Sequence, residues 1–289
     1  MSRVAVVTDS TSYLPAELIA RHRIEVVPLY VVFGGDRTVR ETDIGDYDSF
    51  FGDLRSAEKL PTTSQPSVGD FTKVYEPLLR DGREIVSVHI SGGLSGTPEA
   101  ARQAKEALSR DGGGGGRIEV VDSTTAAGGL GFMVLAAAKA AADGKSAREV
   151  ADWVAEARSH LKLWFAIDTL EFLRRGGRIG AASAWIGSTL KVKPILTVEN
   201  EMVPVERVRT SSRAFQRLVD YARQRHASGA DAWSAQHIHA PDQCAELVAS
   251  CREVFGGNPT IVSELGPVLA VHTGPGLLGV GGLPKRFVE

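Results

Sequence analysis

The sequence predicts an α/β protein of two domains: residues 1–160 with a mainly parallel sheet flanked by helices, and residues 161–289 with a mixed α/β arrangement. Three observations carry this. In the first half, apolar runs end in polar loops that open helices, the pattern of βα units with ligand-facing loops at the strands' carboxyl ends. Near residue 160 the pattern changes, and strands paired around short polar turns take over. A chain of 289 residues is also longer than a single core of common size requires.

Taken in order, residues 4–7 form a strand that ends in Thr8-Asp9-Ser10-Thr11-Ser12, and Pro15 opens a helix. Asp9 and Ser10 suit a ligand contact or an Asx or Ser turn equally. Residues 24–32 read as one further strand, and 41–54 as a polar loop and a helix with Asp46 as cap. In Pro61-Thr62-Thr63-Ser64-Gln65-Pro66-Ser67 the two prolines exclude a regular element between them. Ser67 can cap the helix 68–79, yet four hydroxyls exceed what one cap needs, so a binding role stays open. Residues 84–90 form an alternating strand, and 99–108 a helix with Thr97 as N-cap and Pro98 in its first turn. Between them lies Ser91-Gly92-Gly93-Leu94-Ser95-Gly96, whose glycines bring backbone amides and the Ser95 hydroxyl to a helix start. That is an anion site.

Gly112 to Gly116 lack a following Lys-Ser or Lys-Thr and read as a flexible surface connection to the strand 117–121. Asp122-Ser123 closes that strand as Asp9-Ser10 closes the first. The helix 128–142 is apolar on most faces and so belongs in the core, though its Ala and Gly positions leave room for a thin ligand. Ser146 caps a helix over 147–160.

The second half opens with a strand over 161–167, then a helix with Asp168 as cap and Gly176-Gly177 as stop. Arg174, Arg175 and Arg178 suit the negative end of that helix or a phosphate. Strands at 190–198 and 202–208 flank the turn Glu199-Asn200-Glu201. Helices at 212–225 and 240–255 enclose a strand at 232–238, and strands at 260–264 and 268–272 follow. His272 ends the last of these, beside Thr273-Gly274-Pro275-Gly276, as a core residue or a ligand contact.

A net charge of −2 gives no bulk attraction for nucleic acid or acidic membranes. The longest apolar segment spans about 15 residues, short of a membrane span. No secretory signal is read at the amino terminus, and Cys244 and Cys251 read as packed, reduced thiols, so a cytoplasmic protein without stable membrane insertion is expected. Gly274, Gly276 and Gly279 match GxGxxG, but no helix, strand and acidic residue follow to complete a dinucleotide fold. Gly144-Lys145-Ser146 lacks the first glycine of a phosphate loop. His237 and His239 have no third ligand nearby, so no metal is expected. A Ser-dependent hydrolase or acyltransferase with Ser95 as nucleophile and His272 as base is the alternative to a binder. Thr97 stands where the last glycine of GxSxG would be. Hydroxyls, amides and one imidazole without a dense cationic cluster suit a singly charged carboxylate.

With these stretches assembled, the chain resembles the DegV family, fatty-acid-binding proteins that partner a bacterial fatty acid kinase. The resemblance rests on Asp9-Ser10, residues 62–67, Ser91 to Thr97, Asp122-Ser123, residues 173–179, 193–196 and His272 to Gly276, in that order. It implies two α/β domains with a long-chain fatty acid in the interdomain cleft and its tail in an apolar tunnel, no other cofactor, and no chemistry by the chain alone. It further implies that Thr63 and Ser95 hydrogen-bond the carboxylate, with Thr62 and Gly96 adjoining, and that His272 reaches it from the second domain. Arg174, Arg175 and Arg178 are the candidates for the opening where the kinase partner forms the acyl phosphate, Arg174 first. The implied role is a carrier in fatty acid transport and metabolism. Pro98 and the Gly112 to Gly116 run depart from the family pattern.

Overall fold

The computed structural model describes residues 3–34, 37–110, 112, 114–186 and 192–289. A four-stranded sheet is built from β1 (Val4–Asp9), β2 (Glu25–Val27), β6 (Glu84–His89) and β7 (Ile118–Asp122), in the order β2-β1-β6-β7. Every pairing in it is parallel, which follows from helical crossovers between the strands. Helices α3 (Val68–Arg80) and α4 (Thr97–Arg110) cover one face. Helices α5 (Gly128–Ala142) and α6 (Ala147–His160) cover the other.

A six-stranded mixed sheet uses β8 (Lys162–Ala166), β9 (Lys193–Glu199), β10 (Glu201–Val208), β11 (Ala232–His237), β12 (Ile261–Glu264) and β13 (Leu278–Leu283). Its order is β10-β9-β8-β13-β11-β12, and among these pairs only β11 and β12 run parallel. Helices α8 (Ser211–Ala227) and α9 (Pro241–Phe255) pack on its far face, where Cys244 and Cys251 are buried and free. Helix α5 touches β1 and β6 on one side and β11 and β13 on the other, so it lies between the two sheets. That is why its residues are almost all buried whichever way they face.

The caps read from the sequence largely form. Asp46 accepts from Ser49 N ahead of α2 (Tyr47–Ser56), while Ser67 and Ser146 make capping boxes with Asp70 and Glu149. Several expectations are corrected. The stretch 24–32 is two strands, because Pro28 cannot donate to a ladder; β2 joins the parallel sheet, and β3 (Tyr30–Val32) leaves it. Between the two prolines, Thr62–Ser64 is a short strand, β5, pairing antiparallel with β3 in a small sheet ordered β4-β3-β5, where β4 is Thr38–Arg40. Three residues fit between the prolines as an edge strand. Thr97 is the first residue of α4 rather than its cap, and Ser95 Oγ accepts from Thr97 N at 3.3 Å. Asp168 does not cap α7 (Glu171–Arg175); it takes Lys193 Nζ, and Thr169 Oγ1 accepts from Glu171 N instead.

The stretch 268–272 is not a strand but helix α10 (Pro267–Thr273), with proline in its first turn. All seven of its residues are buried, so no period could show in the sequence. Strand β13, central in the mixed sheet, was not expected, and three of its six residues are glycine. Gly115 is buried against Lys105 and Ser109 of α4 and opens a 3-10 turn, so that end of the glycine run is packed rather than loose. Asp111 and Gly113, and Leu190 and Lys191 of the strand expected at 190–198, lie outside the described residues.

Candidate functional site

Four segments meet where the first sheet's loops face α10: β5, the loop 91–96, α10, and the turn after α7. Together they line a cavity of about 240 Å³ whose walls include Thr63, Gln65, Ser95, Arg178, Leu269 and His272. The segments are held by polar contacts that have nothing to do with a ligand. Asp9, fully buried, accepts from Thr11 N, from Ile90 N at 3.0 Å and from His89 Nδ1 at 3.0 Å, joining the ends of β1 and β6. Ser10 donates to Glu41 and accepts from Leu29 N. Asp122 accepts from Gly92 N, and Ser91 Oγ donates to Asn200 O across to the mixed sheet's hairpin. Asp9 and Asp122 also make the expected turns, accepting from Thr11 N and Thr124 N two residues on, while Ser10 is held by contacts distant in the chain.

His272 is set by α10. Glu41, buried, accepts from Val268 N at 2.8 Å in the first turn of that helix and from Tyr13 OH, which anchors the helix against the first half of the chain. Burial raises the Glu41 carboxyl, opposed by those hydrogen bonds. One turn on, His272 Nε2 lies 2.7 Å from Thr63 Oγ1. Its Nδ1 is buried and has no partner among the described residues, and Gly176 lies against it so closely that a Cβ there would collide. The ring proton therefore belongs on Nε2, the nitrogen with an acceptor, because a buried N–H without one is costly. Burial, helped by Arg178, lowers the imidazole to about 4, so His272 is neutral at neutral pH. The result is a directed chain: His272 Nε2–H donates to Thr63 Oγ1, and the Thr63 proton is free to point into the cavity.

Ser95 lies on the opposite wall. Its hydroxyl shares a 2.8 Å hydrogen bond with Thr97 Oγ1. Among the described residues it makes no bond to His272. The loop spends most of its amides internally: Leu94 N and Ser95 N reach Ser91 O, and Gly93 N reaches Ser91 Oγ. Gly96 N makes no hydrogen bond among the described residues, and a side chain at Gly96 would strike Gln65.

The sequence candidates do not all converge. Thr63, Ser95, His272 and Arg178 line the cavity; Thr62 and Gly96 do not. Thr62 is exposed, on the opposite side of β5 from Thr63 as strand alternation requires. Arg174, the first choice among the arginines, points outward and pairs with Glu171 at 2.6 Å. Arg175 donates to Glu58 O. Arg178 donates from Nε to Leu94 O and from Nη1 to Gly176 O, so it braces the loop 91–96 against the turn after α7. Sequence reasoning missed Gln65 as a lining residue and Met202 and Leu269 altogether.

Those last residues matter because Met202, Leu269 and Thr273 also line a second, apolar cavity of about 50 Å³. It runs between the start of α5 and the near face of the mixed sheet, past Leu163, Phe165, Val198 and Leu277. A polar cavity thus shares its inner wall with a greasy one. Among the described residues no cluster of metal-ligating side chains occurs, and no helix is long and apolar enough to cross a membrane.

Residues 3–285 match a family model for uncharacterised proteins of the DegV family. A DegV domain-containing protein of Streptomyces coelicolor is 41% identical over 284 residues, covering 97% of this chain and 98% of its own. Protein DegV of Bacillus subtilis is 34% identical over 282 residues, covering 96% and 98%. Among solved structures, a fatty-acid-binding DegV family protein of Thermus thermophilus aligns with TM-score 0.86 at 36% identity, covering 98% of this chain and 99% of that one. The fatty acid binding protein DegV of Bacillus subtilis aligns with TM-score 0.84 at 33% identity, covering 98% and 100%.

Proposed function

This chain belongs to the DegV family, and from that premise we propose that it binds a long-chain fatty acid and presents its carboxylate to a kinase partner. The observation that carries the reading is the shared wall of the two cavities, at Met202, Leu269 and Thr273. A headgroup site that shares a wall with an apolar cavity suits an amphiphile with one polar end. In this reading the Thr63 hydroxyl, backed by neutral His272, and the Ser95 hydroxyl donate to the carboxylate, with Arg178 supplying positive charge at the rim. Burying the tail contributes about 0.8 kcal/mol per methylene. The apolar cavity is narrow, so seating a tail asks Met202 to move, which an unbranched thioether does at low cost.

Arg174 and Arg175, exposed beside the cavity, would face the kinase partner while the carboxylate becomes an acyl phosphate. The chain itself would be a cytoplasmic carrier, divided near residue 160 into a domain of 1–160 with the hydroxyl loops and one of 161–289 with His272. The hydrolase or acyltransferase alternative finds less support. Its nucleophile–base pair would be Ser95 and His272, but His272 Nε2 meets Thr63, and Nδ1 has no acidic group to orient it.

Titrating lipid-free protein with saturated fatty acids and with their methyl esters tests the reading. Each added methylene should tighten binding about fourfold until the tunnel is full, and the methyl esters should bind more than tenfold more weakly. Affinity that ignores both chain length and the free carboxylate would overturn it.

A further inference from the structure

The apolar cavity contains a feature that a plain hydrocarbon tail does not use. On β11, Ser234 and Gln236 project to the same side as the α5-facing positions of β13, where they stand across from Gly281 and Gly279 in register. Trp233 and Ala235, between and beside them, pack into the opposite core with α8 and α9. The cavity is therefore bounded by Gly279 and Gly281 on one strand and by Gly128 and Gly129 of α5, with two polar side chains at its edge. Gln236 is engaged: it accepts from Gly128 N and donates to Ser263 Oγ at 2.7 Å. Ser234 is only 5% exposed and lines the cavity, and its hydroxyl makes no hydrogen bond among the described residues. Close by, Thr125 Oγ1 is buried without a partner, and a side chain at Gly129 would strike it.

The Ser234 hydroxyl thus lines a mainly apolar wall with none of its own bonds made among the described residues. A methylene laid against the Ser234 hydroxyl would cover it without giving it a partner, at a cost of about 1–3 kcal/mol. A hydroxyl group on the ligand would remove it, since each hydroxyl can donate to or accept from the other. Resting on the fatty-acid reading above, the geometry points to a preferred ligand that is a long-chain fatty acid carrying a hydroxyl part-way along its chain, bonded to Ser234. Ser234 is then a specificity residue, well separated in role from Thr63 and His272 at the headgroup.

The test is isothermal titration of lipid-free protein with octadecanoate and with a set of monohydroxylated octadecanoates differing in hydroxyl position. One position should bind about tenfold tighter than octadecanoate, the worth of one buried hydrogen bond. Ser234→Ala should bring that ligand to within about twofold of octadecanoate without weakening the binding of octadecanoate, and Ser234→Thr, which keeps the hydroxyl, should retain the preference. Octadecanoate binding as tightly as every hydroxylated form, or a preference that survives Ser234→Ala, overturns the inference while leaving the fatty-acid reading intact. Failure of every ligand to bind overturns both.

Discussion

Replacing Thr63 by valine exchanges its hydroxyl for a methyl group and keeps the rest of the residue. Valine has the same branched shape, so β5 and its pairing of residue 63 with Val31 should persist. Two interactions go. The hydroxyl that would donate to a carboxylate is lost, and His272 Nε2, now 2.7 Å from Thr63 Oγ1, loses its acceptor. A hydrogen bond to a charged group contributes about 1.5–3 kcal/mol, which corresponds to a loss of affinity between about tenfold and about a hundredfold. The stranded imidazole N–H is present with and without ligand, so it lowers the stability of the fold rather than the affinity. The assay is isothermal titration of lipid-free protein with hexadecanoate, and with its methyl ester as the control that lacks the charge. Hexadecanoate should lose most of its advantage over the ester. Affinity for hexadecanoate within about twofold of the unaltered protein would refute the placement of the carboxylate at Thr63.

Two more predictions concern single side chains. His272 titrates near 4 when folded against 6.5 ordinarily, so the unfolded chain takes up its proton first and stability falls as pH drops from about 6.5 to about 4. At about 1.36 kcal/mol per unit the gap is worth about 3 kcal/mol, and His272→Gln should flatten that part of the curve in denaturant titrations; an unchanged slope would show that the ring is not held neutral. Arg178→Ala should weaken hexadecanoate binding by about threefold to tenfold, whereas Arg174→Ala should spare binding and reduce only acyl phosphate formation with a kinase partner. The reverse pattern would show that the outward arginine, not the one lining the cavity, serves the ligand.

How much the sequence revealed depends on how local each signal is. Caps at Asp46, Ser67 and Ser146 were legible because cap and amide lie within three residues of each other. Ser95, Thr63 and His272 stood out as polar residues in glycine- or proline-marked loops, and all three line one cavity. Helix α10 was not legible, since burial on every side erases the helical period and leaves only Pro267 as a marker. Nor was β13: its glycines at 279, 281 and 282 carry no strand signal, yet they mark a strand where another surface comes close. Which of the arginines lines the cavity was not legible for a similar reason. Arg174 and Arg178 differ by one helical turn, and only the stop at Gly176-Gly177 decides which of them turns inward. The continuity of polar and apolar cavities depends on Met202 and Leu269, which sit far apart in the chain and carry no motif.

If a fatty acid fills these adjoining cavities, native mass spectrometry of the protein purified from a bacterial host without added lipid detects it most directly. The account predicts a mass increment that denaturation releases as a long-chain fatty acid. A protein that carries no acyl ligand, and takes up none when fatty acids are supplied, would contradict it.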